Sequence, residues 1–519
     1  MNQKNTNQLL NEALTLHHKG KLDDADSIYR DILKNDENNF QANHLHGCFL
    51  LQNSSFNEAI LFLTKSIKIN PDNYEANNNL GIAYKNINNY LMAEKYFLKS
   101  IEIDENNYKA YFNCANLYIQ NKEYDKAIIY LDKVSKNNDK FAEGPHRMGE
   151  VYQYIYQADR NIKNLSKSEE CFKESINRNI LYIDSYLMLA MNYLWLGDII
   201  KANKYFKTVL KLNYSDENYI EKNINKFISD NKTLSSLIKH EFEQLTYIDN
   251  DTDDIRNPKF TKEYYDQLSQ LYSKSKNGIL DYKDVSMKFK KSIFKILYNK
   301  APKIVESNLI NKKNDIALIE SLYLDGNPEL IVIDNFLEES ALKELQKFCR
   351  NANIFKYPYH GGYVAAFLSK GLSNEFILKL SEDLRLTYKK IFKQLKLTQA
   401  WIFKYDSARN GTNIHADQAT INVNFWISPD DANLNKEAGG LKVWDKIPPK
   451  EWGFDAFNSL DASPKIQKML DDNNIKHQSI PYRENRAVIF NSQLFHATDD
   501  FTFNTNYQSR RINVTFLYD

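Results

Sequence analysis

Small residues recur along the first part of the chain at a period of 34 positions, and apolar side chains accompany them at helical spacing. Two helices can approach closely where small residues from both meet, so the pattern predicts about six helix–turn–helix units over residues 5–216. The fifth unit carries an insertion of seven residues near positions 160–166. Such units stack into a solenoid. One set of small residues is Ala25, Ala59, Ala93 and Ala127, and the other is Ala13, Gly47, Gly81, Ala115 and Gly149.

Residues 217–324 follow a less regular pattern. Two stretches, 222–245 and 286–310, have apolar positions at the spacing of amphipathic helices. A solenoid end exposes apolar surface unless another element covers it. We therefore expect this region to be a helical cap or linker that also packs on the next domain.

From residue 325 to residue 519 the pattern becomes strand-like. A short buried strand and a helix are followed by a second helix from Asn374 to about Lys396, and then by short segments with alternating polarity. Short strands separated by turns predict a jelly roll, that is, a double-stranded β-helix of two sheets, buttressed by the preceding helices. The fold class expected is therefore multidomain, with an all-α solenoid first. The predicted strands are 400–406, 420–428, 439–445, 486–492 and 512–519.

The composition limits the classes of partner. The chain of 519 residues carries 68 basic and 67 acidic side chains, a net charge of +1, so no electrostatic footprint indicates nucleic acid. No apolar run of about 18 residues predicts a membrane span. The four cysteines form no CxxC pair and are far apart, which favours a reducing cytoplasm over a disulfide framework.

Two histidines and one aspartate stand where they could hold a metal ion. His415 and Asp417 begin one predicted strand, and side chains two residues apart project on one face of a strand. His496 follows another strand-like run. Two imidazoles and one carboxylate form the facial triad of non-haem Fe(II), which leaves coordination positions open. The sequence therefore predicts a metal site at His415, Asp417 and His496.

The last strand offers an anchor for a carboxylate. Arg511 shares its face with Asn513, whereas Arg510 shares a face with apolar residues, so Arg511 is preferred and Arg510 remains the alternative. Tyr405 could donate its hydroxyl to the same carboxylate or simply pack in the core. Asn424 could line the pocket, and the pattern does not separate it from Asn422.

Of four further aromatic side chains, His360 is a weaker candidate for the mouth of the site. His360 lies in a probable turn, and His477 lies in a polar stretch that we expect to be exposed. Trp444 and Trp452 flank a loop that could cover the site, with core packing as the equal alternative.

The 34-residue units resemble tetratricopeptide repeats. The C-terminal region resembles the 2-oxoglutarate- and Fe(II)-dependent oxygenases, most closely a prolyl-hydroxylase-like branch. This resemblance implies Fe(II), 2-oxoglutarate as co-substrate and O2, with hydroxylation of a substrate and release of succinate. The interval between His496 and Arg511 is longer than in compact prolyl hydroxylases, which suggests a longer loop. The matching residues are Tyr405, His415, Asp417, the Gly439–Gly440 turn, His496 and Arg511.

Three functions stay open on the sequence. The first is an oxygenase whose solenoid recruits a peptide or protein on its concave face. The second is an interaction scaffold with an inert β-domain, and the third is a zinc hydrolase, which gives Arg511 no evident purpose and shows no general base. A row of asparagines could grip a peptide backbone as in the solenoid of O-GlcNAc transferase, although chance is the stronger explanation. The row is Asn11, Asn79 and Asn113, interrupted by Leu45, Arg147 and Met188.

Overall fold

The computed structural model describes residues 3–250, 261–296, 299–406, 412–459 and 461–519. The chain forms two compact units that meet between Ser185 and Tyr186. This division falls inside the sixth predicted repeat. The expected boundaries at 216 and 324 come from repeat length and residue pattern, and they stay a prediction.

Each repeat consists of two consecutive helices of similar length. Asparagines begin many of them, because the Asn side chain accepts a hydrogen bond from a free N–H of the first turn, as Asn73 does from Ala76 at 2.7 Å. The helices are α1 Gln3–His18, α2 Leu22–Asn35, α3 Phe40–Gln52, α4 Phe56–Ile69, α5 Tyr74–Asn86, α6 Tyr90–Ile103, α7 Tyr108–Gln120, α8 Tyr124–Asn137, α9 Glu143–Asp159, α10 Ile162–Arg178, α11 Ile183–Trp195 and α12 Ile199–Ser215.

The periodic small residues lie where the two helices of a repeat touch. A Cβ atom placed on Gly81 of α5 would lie 2.5 Å from the ring of Phe97 on α6, so only glycine allows this approach. Ala93 and Phe97 are fully buried. The insertion in the fifth repeat is absorbed as helix, because α9 and α10 each have 17 residues where α5 and α6 have 13 and 14.

The asparagines proposed to grip a peptide are bonded within the solenoid. The Asn79 amide donates to His44 Nε2 at 3.1 Å and contacts Cys48 Sγ at 3.1 Å. The Asn113 amide donates to Asn78 Oδ1 at 2.9 Å. These two amides therefore link neighbouring repeats in this conformation.

Further helices cover the β-region of the second unit. The expected helix over 222–245 is interrupted, because Asp230 caps a new helix through a 2.8 Å bond from the Thr233 N–H. The expected helix over 286–310 was too long, since helical structure ends at Phe294. The helices are α13 Glu217–Phe227, α14 Asn231–Asn250, α15 Lys262–Lys276, α16 Met287–Phe294, α17 Ile316–Leu324, α18 Glu339–Asn351, α19 Glu375–Thr387, α20 Lys389–Phe392, α21 Asp455–Asn458 and α22 Ala462–Asp472.

Two antiparallel sheets form the β-region. The larger has the order β1-β8-β5-β10-β4-β3-β2 and the smaller has the order β7-β6-β9. Apolar side chains from both sheets share one core, including Trp426, Leu441, Val443 and Phe490. The strands are β1 Leu330–Ile333, β2 Tyr357–Tyr359, β3 Tyr363–Phe367, β4 Leu397–Tyr405, β5 Ile421–Trp426, β6 Leu441–Trp444, β7 His477–Ile480, β8 Arg486–Asn491, β9 His496–Thr498 and β10 Ile512–Tyr518.

Successive side chains of the central strands point to opposite faces of the larger sheet, and both faces are buried. Every residue of β5 and of β10 is buried. Phe425 packs on Phe336 and Phe516 on the side of the helices, whereas Asn422 and Asn424 line a cavity on the other side. The polar positions of these strands therefore mark an interior polar site and not a solvent-facing surface.

Helix α12 and most of α11 belong to the second unit. The Trp195 indole N–H donates to the Leu397 carbonyl at 2.8 Å, and the Asn203 amide contacts Glu375 at 3.4 Å. Both contacts lie on the C-terminal side of the Ser185–Tyr186 division. Within the described residues, no helix combines the length and the apolar character that a bilayer crossing demands.

We expect Phe97→Ala to destabilise the repeats by about 3–5 kcal/mol, because it removes a fully buried ring and leaves a cavity. Urea unfolding followed by far-UV circular dichroism measures this loss. Leu91→Ala on the same helix is the matched control, since Leu91 is 79% exposed and its loss costs within about 0.5 kcal/mol. Equal midpoints for the two variants would contradict the packing described.

Candidate metal centre

The three predicted ligands converge, but His415 and Asp417 do not begin a strand as predicted: His415 forms an isolated bridge with His496, and β5 begins only at Ile421. His415 and His496 exchange two backbone hydrogen bonds, His415 N–H to His496 O at 3.0 Å and His496 N–H to His415 O at 2.8 Å. This pairing places the two rings 4.4 Å apart between centroids. Asp417 Oδ1 lies 3.9 Å from His415 Nε2, and Oδ2 lies 3.5 Å from His496 Nε2. One potential ligand atom from each residue lies within 4.8 Å of the others, a spacing that one ion can bridge.

The orientation of both imidazoles is held by the backbone. His415 Nδ1 lies 2.7 Å from the Asn413 carbonyl, and His496 Nδ1 lies 2.9 Å from the Leu494 carbonyl. A carbonyl only accepts, so each Nδ1 carries a proton, and each Nε2 faces Asp417. Two imidazoles that present Nε2 to one position, together with a carboxylate, are a suitable donor set for a divalent transition metal.

The charges of the three groups suit metal binding. Burial lowers the pKa of His415, and the neighbouring His496 lowers it further, so the ring is neutral near pH 7. Burial alone would raise the pKa of Asp417, but the hydrogen bond to His496 and the two imidazoles outweigh it and bring the pKa below its usual value. Asp417 is therefore a carboxylate at neutral pH.

A chain of buried amides supports Asp417 from behind. The Asn422 amide donates to Asp417 Oδ2 at 2.8 Å, and the Asn424 amide donates to Asn422 Oδ1 at 2.6 Å. Asn424 Oδ1 accepts from the Asn513 amide and from the Thr515 hydroxyl, both at 2.8 Å. Asn422 and Asn424, which the sequence did not separate, thus have different places in one network. Such support orients a ligand and tunes its affinity.

Arg511 is a buried cation on the same interior face. Its side chain is 1% exposed, and it donates from Nε to the Gly439 carbonyl at 2.7 Å and from Nη2 to the Gly440 carbonyl at 3.1 Å. Nη1 is buried and has no hydrogen-bond partner among the described residues. Among the described residues no carboxylate forms an ion pair within 4 Å of the guanidinium. Burial lowers the pKa of Arg511, and Asp499, the carboxylate whose charge opposes this shift, is itself paired with Lys442 at 3.0 Å. A buried charge without an anion is costly, so this group fits a carboxylate supplied by a ligand.

The turn at Gly439 and Gly440 provides the carbonyls that hold the Arg511 guanidinium. Gly439 has a φ of +89°, which disfavours other residues, and a Cβ atom on Gly440 would collide with the carbonyl oxygen of Ile480. The Arg511 guanidinium carbon lies 4.8 Å from the centre of the Tyr405 ring. Burial raises the pKa of Tyr405, although Arg511 opposes the shift, so its hydroxyl is a protonated donor at neutral pH.

Arg510 points away from the site. Its guanidinium bonds Glu243 of α14 at 2.6 and 3.0 Å. The strand alternation that separates these two arginines was visible in the sequence, and the structure places Arg511, Asn513, Asn424 and Tyr405 around one cavity that also contains the metal-ligand candidates.

Of the four further aromatic side chains, only His360 lines one of the two cavities among the described residues. His477 is exposed on β7 and packs on Trp444, which is buried. Trp452 is partly buried beneath the Lys465 ammonium, 3.9 Å from the ring centre. His360 lies at the rim of the outer cleft and bonds Asp230 at 3.2 Å.

Sequence reasoning missed the wall of the site. Trp401 and Phe403 line the inner cavity beside Tyr405, and Thr412 and Thr498 close it, with their hydroxyls 2.8 Å apart. The two aromatics share strand parity with Tyr405, which is the signal that could have identified them. The inner cavity is narrow, about 30 Å³, and opens into an outer cleft of about 970 Å³.

Comparisons with known proteins concern the repeats. Family models described as tetratricopeptide repeat match residues 40–73 and 183–216, and residues 62–95 and 96–129. These matches confirm that the chain contains tetratricopeptide repeats. The comparison with curated proteins finds no match.

Several solved structures are similar to part of the chain. A MamA fragment from Desulfovibrio magneticus RS-1 is 20% identical, covering 37% of this chain and 97% of that one, with a TM-score of 0.30. YrrB, described as a TPR protein with an unusual peptide-binding site, is 13% identical over 37% of this chain and 94% of its own, with a TM-score of 0.30. PilW, described as a type IV pilus biogenesis factor, is 20% identical over 43% and 99%, with a TM-score of 0.37. At these TM-scores, the similarities carry no inference about function.

We expect Asn422→Ala to weaken Mn(II) binding about 10- to 100-fold, because Asp417 loses the donor that holds one of its oxygens. Electron paramagnetic resonance of free Mn(II) gives the dissociation constant. Asn473→Ala, at the exposed end of α22, is the control and should bind as the unaltered chain does. Unchanged affinity in Asn422→Ala would remove the supporting role of this amide.

Proposed function

We propose that the chain is a 2-oxoglutarate- and Fe(II)-dependent dioxygenase, acting as a hydroxylase, with a double-stranded β-helix as its catalytic domain. The tetratricopeptide repeats recruit a peptide or protein substrate. The observation that carries the proposal is one cavity lined by His415, Asp417, His496 and a buried, anion-free Arg511. A metal site alone serves many reactions, whereas a metal site beside an internal carboxylate anchor suits a chelating dicarboxylate.

His415, Asp417 and His496 would hold Fe(II) through two imidazole nitrogens and one carboxylate oxygen. Bound there, Fe(II) would supply the oxidative chemistry by which O2 converts 2-oxoglutarate to succinate and CO2 and a substrate C–H bond to C–OH. Three protein ligands leave coordination positions for co-substrate and O2. The backbone bonds to both Nδ1 atoms keep the two Nε2 atoms directed at the metal position.

Arg511 and Tyr405 would bind the distal carboxylate of 2-oxoglutarate. Arg511 already uses Nε and Nη2 on backbone carbonyls, so Nη1 is the donor left for the ligand. The Tyr405 hydroxyl is a second donor beside it. Asn424 and Asn513 keep this polar wall hydrogen-bonded inside an apolar core. Since the inner cavity is about 30 Å³, the proposal requires it to widen when the co-substrate enters.

The competing functions make different use of the same residues. Tetratricopeptide repeats suggest a protein-interaction scaffold, and an inert β-domain would leave that function alone. A zinc hydrolase would need a general base, but Asp417 is the only carboxylate among the described residues that line the two cavities. Neither alternative explains why the interior contains an arginine with no anion.

Under anaerobic conditions, Fe(II) and 2-oxoglutarate should give a weak visible charge-transfer band with the full chain. Asp417→Ala and His415→Ala should abolish both this band and succinate formation, because each removes a ligand from the metal. His477→Ala is the control, since that histidine is exposed on β7 and lies apart from the cavity. Full iron-dependent turnover in either ligand variant would end the ligand assignment, and an unaltered chain with no band would favour the scaffold.

Arg511→Gln should raise the KM for 2-oxoglutarate about 10- to 100-fold, because a charge-assisted hydrogen bond to the co-substrate is lost. Arg510→Gln should leave this KM within about twofold, since that side chain pairs with Glu243 outside the cavity. Succinate release at varied 2-oxoglutarate gives both values. Thermal unfolding of each variant shows separately whether the fold has been weakened. The reverse pattern would transfer the anchor to Arg510.

A further inference from the structure

A second cavity of about 410 Å³ continues the outer cleft away from the triad. The two share four lining residues, which are Tyr359, Phe367, Gln399 and Trp401. The first cleft reaches His415 and Asp417, and the second lies against α11, the end of α13 and the turn after β3. We name the combined passage the aromatic groove; all of its lining residues belong to the second unit.

Strand β4 sets the length of the groove. Gln399, Trp401, Phe403 and Tyr405 alternate along one face of the strand. Phe403 and Tyr405 line the inner cavity, Gln399 lines the far one, and Trp401 lines both. The four residue steps from Phe403 to Gln399 span about 13 Å. An extended peptide of roughly four to five residues covers the same distance.

The walls of the groove are aromatic and apolar. Tyr359 stacks on Tyr363 at 4.8 Å between ring centres, and Tyr363 lies 4.8 Å from Phe403. Phe227 lies 6.0 Å from Tyr359 and extends the row toward the far cavity. There α11 contributes Met188 and Met191. Aromatic rings and methionines form adaptable surfaces of the kind that bind peptide side chains.

The far end of the groove is positively charged. Lys226 and Lys370 both line it, and no aspartate or glutamate is among the described residues that do. The Lys370 ammonium lies 4.5 Å from the centre of the Tyr357 ring and donates to Asn223 Oδ1 at 3.2 Å. Neither lysine has a carboxylate within 4 Å in the described parts of the chain. Burial, and then the nearby Lys226, lower the pKa of Lys370 to about 8, which reflects a cation without a counter-ion.

We propose that the aromatic groove binds an acidic peptide segment, with an aspartate or glutamate side chain between Lys226 and Lys370. The residue four or five positions away is then presented to His415, Asp417 and His496. Apolar side chains of the same segment pack on Trp401, Phe367 and the α11 methionines. The proposed function is assumed only for what happens at the triad, because the binding itself needs no metal and no turnover.

Charge and composition favour a peptide over a nucleic acid. The whole chain has a net charge of +1, and the groove has two lysines at the far end and Lys232 in the outer cleft, whereas a nucleic-acid strand requires cations along its whole length. The row of rings between the far lysines and the triad suits apolar side chains flanking an acidic residue. A carboxylate side chain therefore complements the positive charge of the far end.

The test is a binding measurement on the full-length chain without metal or 2-oxoglutarate. Fluorescein-labelled peptide pools of mixed apolar and small residues are prepared in three versions that differ at one fixed position: glutamate, glutamine or lysine. Fluorescence anisotropy should show the glutamate pool binding about fivefold more tightly than the glutamine pool. Lys226→Glu combined with Lys370→Glu should reverse the order, so that the lysine pool binds best. The matched control is Lys468→Glu on α22, an exposed lysine outside the groove.

Each outcome decides the proposal. Equal binding of the pools, no binding of any pool, or an unchanged order in the charge-reversed variant would overturn it. Displacement of the glutamate pool by a single-stranded oligonucleotide, in the unaltered chain but not in the reversed variant, would assign the groove to nucleic acid instead. Lys226→Gln with Lys370→Gln keeps the test valid if charge reversal weakens the fold, because it should abolish the preference without reversing it. Since succinate release is measured separately, loss of turnover with intact binding would reject the proposed function alone.

Discussion

Two backbone hydrogen bonds between His415 and His496 determine the geometry of the candidate site. They join positions 81 residues apart in the sequence and bring the two rings within 4.4 Å. Asp417 lies beside them because it follows His415 by two positions, in the loop that leads into β5. The larger and smaller sheets supply the frame in which this pairing forms, since His496 opens β9 of the smaller sheet while Asn422 of the larger sheet holds Asp417.

The interior of the β-region is polar where an ordinary core would be apolar. Asn422, Asn424, Asn513 and Thr515 bond one another, so their burial carries no large desolvation cost. Arg511 is the exception, because its guanidinium has backbone carbonyls for two nitrogens and nothing in the described chain for the third. A buried guanidinium with an unbonded nitrogen stabilises the fold less than an apolar side chain of similar size would. The carboxylate of the proposed co-substrate would pair with that charge.

The last helix pair contributes to the wall of the aromatic groove. Leu187, Met188 and Met191 of α11 line the far cavity, and Trp195 bonds the start of β4, the strand that continues to Tyr405. The same pair matches a tetratricopeptide-repeat model. An element with the sequence of a repeat thus packs as part of the β-containing unit, and its apolar face becomes a wall of the aromatic groove.

Local patterns in the sequence were enough to predict the repeats, the five strands and the His415–Asp417 pair, because residue period, strand alternation and the spacing of those two ligands are read directly from the sequence. Strand parity also favoured Arg511 over Arg510. The convergence of His496 with that pair, from 81 residues away, depends on tertiary structure. The different places of Asn422 and Asn424, the open nitrogen of Arg511 and the groove from Phe403 to Lys370 depend on tertiary structure. Each of these joins residues distant in sequence, and burial and pairing exist only once the strands and helices have packed.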